Sequence, residues 1–547
     1  MASNKKTIFS IVPIGGLGQI GSNMTLISGQ TESLIVDCGI LFPNEDSFGI
    51  NYLIPDLDIL ENASPTDLII THGHEDHIGA IYHIIEKVPQ IKVWASPFTS
   101  ELIKKKLKSY KKSIKINLLI QKKEITFSDF SFIPIQTNHS IPETHGLFFK
   151  SKKESLCFFI LSDFKFDNKT PYESPMDLNY LKNISQNFEK RVLFSDSTNI
   201  KSKNFKTPSE ADLIAPIEDI LSKNNKRVFF TLFPSNIFRQ KSIINASKKF
   251  KKKLIPYGKS VENYLETAID LNLIENDKSL IKSIKNTNCD GDNLVILISG
   301  CQGDFRGALR RVAWGEDSTF KIKKGDLFVF SSTPIPGNEK KVSQIMNKIY
   351  EAGGEVITNA DCLVHASGHP GKDDLKILYD TFNPTDVIPI HGESYLLHAH
   401  KKFIEETYPD IKTHLIYNFN SININQSLEV KIEKNESKEP WLIHGKGILL
   451  EKENLRQRRK MASSGLLFLS IKIDSIGRKR VNYSLEHFGL PQLIKNQEEK
   501  IGWLINNFFN KTKVKTFDKS KDELKIELRK FCNKVIGYKP LVFIHFI

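Results

Sequence analysis

Short apolar runs alternate with turn residues from the start of the chain. IFSIVPI, MTLIS and SLIVDCG are the runs, and GGLGQIGSN lies among them. This pattern predicts short strands joined by glycine turns over residues 7–40, with the N-terminus as a first strand and not a signal peptide. DLII predicts another buried strand, and it runs directly into THGHEDHIGA. IGAIYHIIEKV spaces its apolar residues as a helix does. KVWAS, FSFIPIQTN, LCFFILSDF and RVLFSDS predict further strands. Residues 1–205 thus read as a layered domain of sheet and helix.

From residue 206 the texture changes. SEADLIAPIEDILSK and NIFRQKSIINASKKF have helical spacing, and they alternate with RVFFTLF, KLIPYG, NLVILISG and LFVFSS. That alternation predicts a parallel α/β sheet over 206–362. Two histidine-bearing stretches, LVHASGHPG and VIPIHGE, follow within 363–445. The remainder, 446–547, carries RQRRK, the strand-like LLFLSIKI and a helix-rich tail, and reads as a small separate domain. No internal repeat is visible. A length of 547 residues exceeds one core and fits roughly three to four domains.

Composition narrows the class. The content is 40% hydrophobic and 26% charged, as in a globular protein free in water. No window approaches the ~18 uninterrupted apolar residues that a membrane span needs. Six scattered cysteines predict a reducing, cytoplasmic setting and no thiolate zinc site. The net charge is +14, with lysines densest in LIKKKLKSYKKSIK (102–115) and KKFKKK (248–253). Such runs fit either a solvated lysine-rich surface or a polyanionic partner.

The chemistry concentrates in THGHEDH. His72, His74, Asp76 and His77 fall at the end of a predicted strand. Imidazole and carboxylate are zinc ligands, and there are enough of them here for more than one metal. One loop cannot close two sites. His139 in TNHSIPETHG, Asp163 in LSDFKFD and His391 in IPIHGE each follow an apolar run and complete the candidate set. Asp163, with two oxygens, is the natural bridge, Asp76 can bind a metal and orient the nucleophile, and Glu75 is expected to hold an imidazole in its tautomer. His83, His145, His398 and His400 are expected to be structural. A pair of metals suits phosphodiester hydrolysis.

These residues resemble the dinuclear signature of the metallo-β-lactamase fold, with Asp37 in IVDCG matching the aspartate that supports the metal loop. GGLGQIGSNM, LFPNEDSFGINYLIPD, HSIPETHG, SDFKFD, FSDSTN, SGCQGDFRGALRRVA, SSTPIPGNE, HASGHPGKDDLK and VIPIHGESYLLHAH narrow the resemblance to ribonuclease J, of the β-CASP branch. It runs in register from about residue 8 to 405. The implied fold is α/β: a metallo-β-lactamase αββα sandwich, an inserted β-CASP α/β domain and a small α+β C-terminal domain. The implied site has two zinc ions, or manganese in their place. His72, His74 and His139 would hold one, Asp76, His77 and His391 the other, with Asp163 between them. His369 would meet the scissile phosphate as general acid or charge stabiliser, with Glu210 as its acidic partner. His365, Ala366, Ser367, Gly368 and His369 would line the substrate phosphates, and Ser235 and Asn236 the pocket for an RNA 5′ monophosphate. The family degrades RNA from 5′ monophosphate ends and internally, forms dimers or tetramers, and joins RNA degradation complexes.

The chain departs from the family pattern at several positions. Phe238 stands where histidine is frequent, Cys301 where serine is usual, and Gln19 where glutamate is usual. Phe305 and Arg306 replace a proline and a small or apolar residue. Two other readings compete: a thioester or lactone hydrolase on the same fold, and a non-catalytic RNA-binding scaffold. The long insert and HASGH argue against the first, and the complete donor set argues against the second.

Overall fold

The computed structural model describes residues 6–43, 48–472, 482–511 and 517–547. Residues 44–47, within LFPNEDSFGINYLIPD, lie outside the described residues. The chain divides into two compact units, Met1–Phe42 with Leu53–Pro440, and Pro43–Tyr52 with Trp441–Ile547.

Two sheets face each other in the first unit. One has eight strands in the order Val430–Glu433, Ser421–Asn425, Thr7–Gly15, Met24–Ser28, Ser33–Val36, Asp67–Ile69, Lys92–Ala95, Ile116–Leu118. The other has seven, in the order Lys412–Thr413, Asp386–Ile390, Lys190–Asp196, Leu156–Leu161, Thr144–Ser151, Phe130–Thr137, Ile125–Thr126. The strand LCFFIL shows why these runs are apolar throughout. Leu156, Phe158 and Ile160 point into the core between the sheets, beside Phe9, Phe149 and Ile424. Cys157, Phe159 and Leu161 point the other way, into a second core with Leu181, Leu378 and Ile404 of the covering helices. Side chains alternate along a strand, so a strand covered on both faces is apolar at every position. The helices Leu178–Ser185, Lys372–Phe382 and Ser394–Thr407 form that outer layer.

The insert is a five-stranded sheet in the order Lys253–Tyr257, Leu294–Ile298, Val228–Thr231, Leu327–Phe330, Glu355–Ile357. Every pairing in it is parallel, as the strand and helix alternation predicts. It interrupts the sandwich between Lys190–Asp196 and Asp386–Ile390, which nevertheless pair directly, Asp196 opposite Ile390. The strand Leu156–Leu161 runs parallel on the other side of Lys190–Asp196. Three parallel neighbours therefore end at one edge, and that edge carries the site.

The second unit has a three-stranded sheet with Leu466–Lys472 between Asn482–Phe488 and Leu541–Phe546, closed by helices Glu498–Lys511 and Phe517–Ile536. Its core includes Leu467, Leu469, Ile505, Leu528 and Ile544. This unit takes in Pro43–Tyr52 as well as Trp441–Ile547. The reason is hydrogen bonding: Asn51 N–H donates to Ile443 O (2.8 Å), Gly445 N–H to Asn51 Oδ1 (2.7 Å), and His444 Nδ1 to Gly49 O (2.6 Å).

Candidate metal centre

The candidate ligands sit at strand ends. His72 and His74 follow Asp67–Ile69, and Asp76 and His77 lie on the short helix Glu75–Ile78. His139 follows Phe130–Thr137, Asp163 follows Leu156–Leu161, and His391 follows Asp386–Ile390. The structure brings all seven together in two groups, each with its ligand atoms within 4.8 Å of one another.

In the first group His74 Nδ1 lies 3.0 Å from His72 Nε2 and 3.2 Å from His139 Nε2. Asp163 Oδ2 is 3.8 Å from His72 Nε2 and 3.5 Å from His139 Nε2. In the second group Asp163 Oδ1 is 3.3 Å from His77 Nε2 and 3.5 Å from His391 Nε2. Asp76 Oδ2 is 3.6 Å from His77 Nε2 and 3.5 Å from His391 Nε2. Asp163 thus presents one oxygen to each group.

The donor set fits a metal. Three imidazole nitrogens converge in the first group, and no arrangement of protons pairs all three. Ligands bonded at ~2.0–2.1 Å around a tetrahedral ion stand about as far apart as these do. In the second group Asp163 Oδ1 and His391 Nε2 are buried without a hydrogen-bond partner. A native protein does not leave such atoms orphaned without cause.

The opposite ring nitrogens are held elsewhere, which fixes each tautomer. His77 Nδ1 donates to Asp37 Oδ2 (2.7 Å), and Asp37 also accepts from Thr71 N (2.8 Å). His139 Nδ1 donates to Gly368 O (2.6 Å) and His391 Nδ1 to Thr198 Oγ1 (2.8 Å), while His72 Nδ1 meets Thr71 Oγ1 (3.0 Å). Asp37 and His391 both hold left-handed backbone, φ +61° and +53°. Residues with side chains adopt it rarely, and here hydrogen bonds on both neighbours hold it.

Electrostatics divide the two groups. Burial holds His72 and His139 well below the usual imidazole range and pushes His74 down to about 4, so all three are neutral donors. Burial opposes protonation of His391 too, but Asp163 and Asp76 outweigh it and raise it to about 9. Asp163 itself stays well below the carboxylate range despite its burial, because His391, His77 and His72 surround it. Against its burial, the carboxylates likewise raise His77, so the second group has a negative field that draws protons to its imidazoles and suits a metal cation in their place.

His369 stands beside both groups, its ring 5.0 Å from that of His139 and 5.2 Å from that of His391. Its acidic partner is Asp196, whose Oδ2 accepts from His369 Nδ1 at 2.7 Å. Glu210 does not have that role. Its two oxygens each accept from Arg239, at 2.9 Å, and burial of this fully charged pair leaves nothing for His369. Burial works against protonation of His369, and the Asp196 carboxylate outweighs it, raising its pKa. Glu75 is a second correction: it binds Lys106 Nζ (2.5 Å), because the helix Pro97–Ser109 passes beside the loop.

Arg239 is the residue that sequence reasoning missed entirely. Fully buried, it also donates to Ser331 Oγ (2.5 Å), Val364 O (3.0 Å) and Ala366 O (3.3 Å). It ties the insert to the segment His365–His369. Ser367 Oγ accepts from Asn199 Nδ2 (2.8 Å), and His369 O accepts from Thr207 Oγ1 (2.7 Å). Gly368 must be glycine, since a Cβ there would lie 2.6 Å from the His139 ring. Asn236 is buried and caps the helix Ile237–Lys249, its Oδ1 accepting from Arg239 N, while Ser235 is half-buried. His365 Nδ1 is buried and unpartnered. Asp196 was findable: FSDSTN ends an apolar run in an acid, as LSDFKFD does at Asp163.

His145 and His400 are buried but belong to neither group, with His400 held between Ser197 Oγ (2.9 Å) and Tyr379 OH (2.5 Å). His398 is exposed.

A two-sheet sandwich with this donor edge, interrupted by a parallel-sheet insert, defines a β-CASP-type hydrolase of the metallo-β-lactamase superfamily. Family models agree: the metallo-β-lactamase superfamily matches residues 17–148, the ribonuclease J β-CASP domain 225–349, and the Zn-dependent metallo-hydrolase RNA specificity domain 356–416. Ribonuclease J2 of Bacillus subtilis is 32% identical over 85% of this chain and 84% of its own length. Ribonuclease J 1 of Streptococcus pyogenes is 34% identical over 73% and 71%, and ribonuclease J of Sinorhizobium meliloti 28% identical over 99% and 97%. The chain belongs to the ribonuclease J family. A crystal structure of an Enterococcus faecalis protein of unknown function shares the fold, with TM-score 0.52 and 12% identity over 76% of this chain and 99% of that one.

Proposed function

We propose that this chain is a two-metal ribonuclease that hydrolyses RNA phosphodiesters. It trims 5′→3′ from 5′ monophosphate ends and also cuts internally, in RNA maturation and decay. The observation that supports this most directly is Asp163, which offers one oxygen to each donor group while His369 stands alongside. The metals are two zinc ions, replaceable by manganese, since imidazole and carboxylate donors suit both. Bound cations supply the positive charge that acidifies water and stabilises the attacking and leaving oxygens of an in-line displacement.

The chain's own residues do the rest. Asp76 orients the nucleophile. His369, aligned by Asp196, delivers a proton or its charge to the leaving oxygen. His365, Ala366, Ser367, Gly368 and His369 line the substrate phosphates, and Ser235 and Asn236 line the pocket for the 5′ monophosphate. Glu210 acts at one remove, by holding Arg239. The domains run 1–205, 206–362, 363–445 and 446–547, the third being the return to the metallo-β-lactamase domain. The enzyme works in the cytoplasm as a homodimer or homotetramer and joins an RNA degradation complex. No helix among the described residues is long and apolar enough to cross a membrane.

The test is a time course on one RNA carrying a 5′ triphosphate, monophosphate or hydroxyl, with and without chelator. Mononucleotide release that favours the monophosphate, together with internal fragments indifferent to the 5′ group, is expected, and chelator abolishes both. Full cleavage by a preparation verified as metal-free would refute the proposal.

A further inference from the structure

Phe305 is 79% exposed, more than any other large apolar side chain among the described residues. Single exposed apolar side chains are common and need no ligand. Phe305 differs in being built upon. The Arg310 guanidinium lies 4.7 Å from its ring centroid and 4.9 Å from that of Trp314, so the three side chains form one stack. Glu316 holds the guanidinium by both terminal nitrogens, at 2.5 and 3.4 Å.

The loop beneath is also fixed. Gln302 donates to Thr333 O (3.0 Å) and accepts from Ile335 N (2.7 Å). Gly307 N donates to Asp304 O (2.8 Å), and Arg311 Nη1 to Arg306 O (2.9 Å). Gly303 holds φ +77° against Lys341, where a Cβ would lie 2.6 Å from the lysine's own. A phenyl ring is thus presented to solvent on a braced support, with Arg306 exposed beside it.

Its position connects it to the site. The loop follows Leu294–Ile298, whose parallel neighbour Val228–Thr231 leads to Ser235 and Asn236. Leu327–Phe330, on the far side of Val228–Thr231, leads to Ser331, which donates to Val364 O just before His365 (2.5 Å). All three loops leave the carboxyl edge of one parallel sheet, where ligands of such sheets bind.

We propose that Phe305, backed by Arg310 and Trp314, is a stacking platform for a base of single-stranded RNA. The idea rests on the ribonuclease reading above. Every base offers a π-face, so an aromatic platform holds RNA without choosing sequence; Arg310, paired with Glu316, braces the ring, and the exposed Arg306 beside it suits a polyanion. The platform would lengthen the RNA track beyond the phosphate pocket.

The test is binding of an unstructured 5′-monophosphorylated oligoribonucleotide, with chelator present to prevent cleavage. Phe305→Ala and Phe305→Leu each weaken binding about tenfold, and Phe305→Trp keeps it. In turnover with metal, the loss appears as a raised KM. Equal binding by the alanine variant overturns the platform. So does rescue by leucine, which would mark a plain apolar contact such as a docked protein. If the unaltered protein neither binds nor cleaves RNA, the ribonuclease reading itself fails, a distinct result. Thermal melts confirm that the variants fold, as a side chain this exposed predicts.

Discussion

Asp196 and Asp163 end neighbouring parallel strands, yet their surroundings give them different work. Asp163 is ringed by imidazoles, whereas Asp196 accepts from His369 Nδ1 (2.7 Å) on one oxygen and from Thr198 N (2.8 Å) on the other, and so orients that ring. Asp196→Asn should therefore lower kcat about 100-fold or more while metal content and RNA affinity stay as they were. Loss of metal along with activity would instead make Asp196 a structural support. His400 tests a different property of a single residue. Its burial pushes its pKa down to about 3, so it is neutral when folded and takes up a proton on unfolding below about pH 6.5. A depressed folded pKa gives stability that is present above the unfolded value and lost as pH falls. His400→Gln should flatten this slope, by about 2 kcal/mol between pH 7 and pH 5 in denaturant titrations. An unchanged slope would show that His400 is charged in the folded state.

At the scale of elements, the site depends on strands that end together. The sequence showed apolar runs closing in His or Asp, and the parallel pairing of Leu156–Leu161, Lys190–Asp196 and Asp386–Ile390 puts those ends on one edge. The segment Val364–His369 is placed quite differently, by hydrogen bonds from Arg239, Asn199 and Thr207. Gly368→Ala should push the His139 ring away and weaken metal at the His72, His74 and His139 group about 10- to 100-fold, measured by metal titration. The second group should keep its metal. Arg239→Lys keeps a charge for Glu210 but loses the fork that reaches Val364 O and Ala366 O. It should cut kcat more than it changes KM, and hydrogen exchange of residues 364–369 should rise. A pure KM effect would place Arg239 in substrate binding instead.

For the whole molecule, all seven donors belong to the first of two compact units. A ligand stabilises only the unit that binds it, by ~4 kcal/mol at a thousandfold excess over its Kd. Chelator should therefore lower one calorimetric transition and leave the other in place, and adding back zinc or manganese should restore it. A shift in both would mean that the two units unfold together. The net charge of +14 also looks different in three dimensions. In the densest lysine run Lys104, Lys105, Lys106 and Lys112 pair with Glu101, Asp270, Glu75 and Glu86, so part of that run is already neutralised. The sequence by itself determined many of the strands and helices and the seven candidate ligands, because strand periodicity and donor type are local properties of the chain. Only the tertiary structure decided the partners. It gave Asp196 to His369, Glu210 to Arg239, Lys106 to Glu75, and Pro43–Tyr52 to the second unit. Each of these pairs residues far apart in the chain, and which polar group meets which in a buried space is settled by packing, where an unpaired charge costs too much to leave.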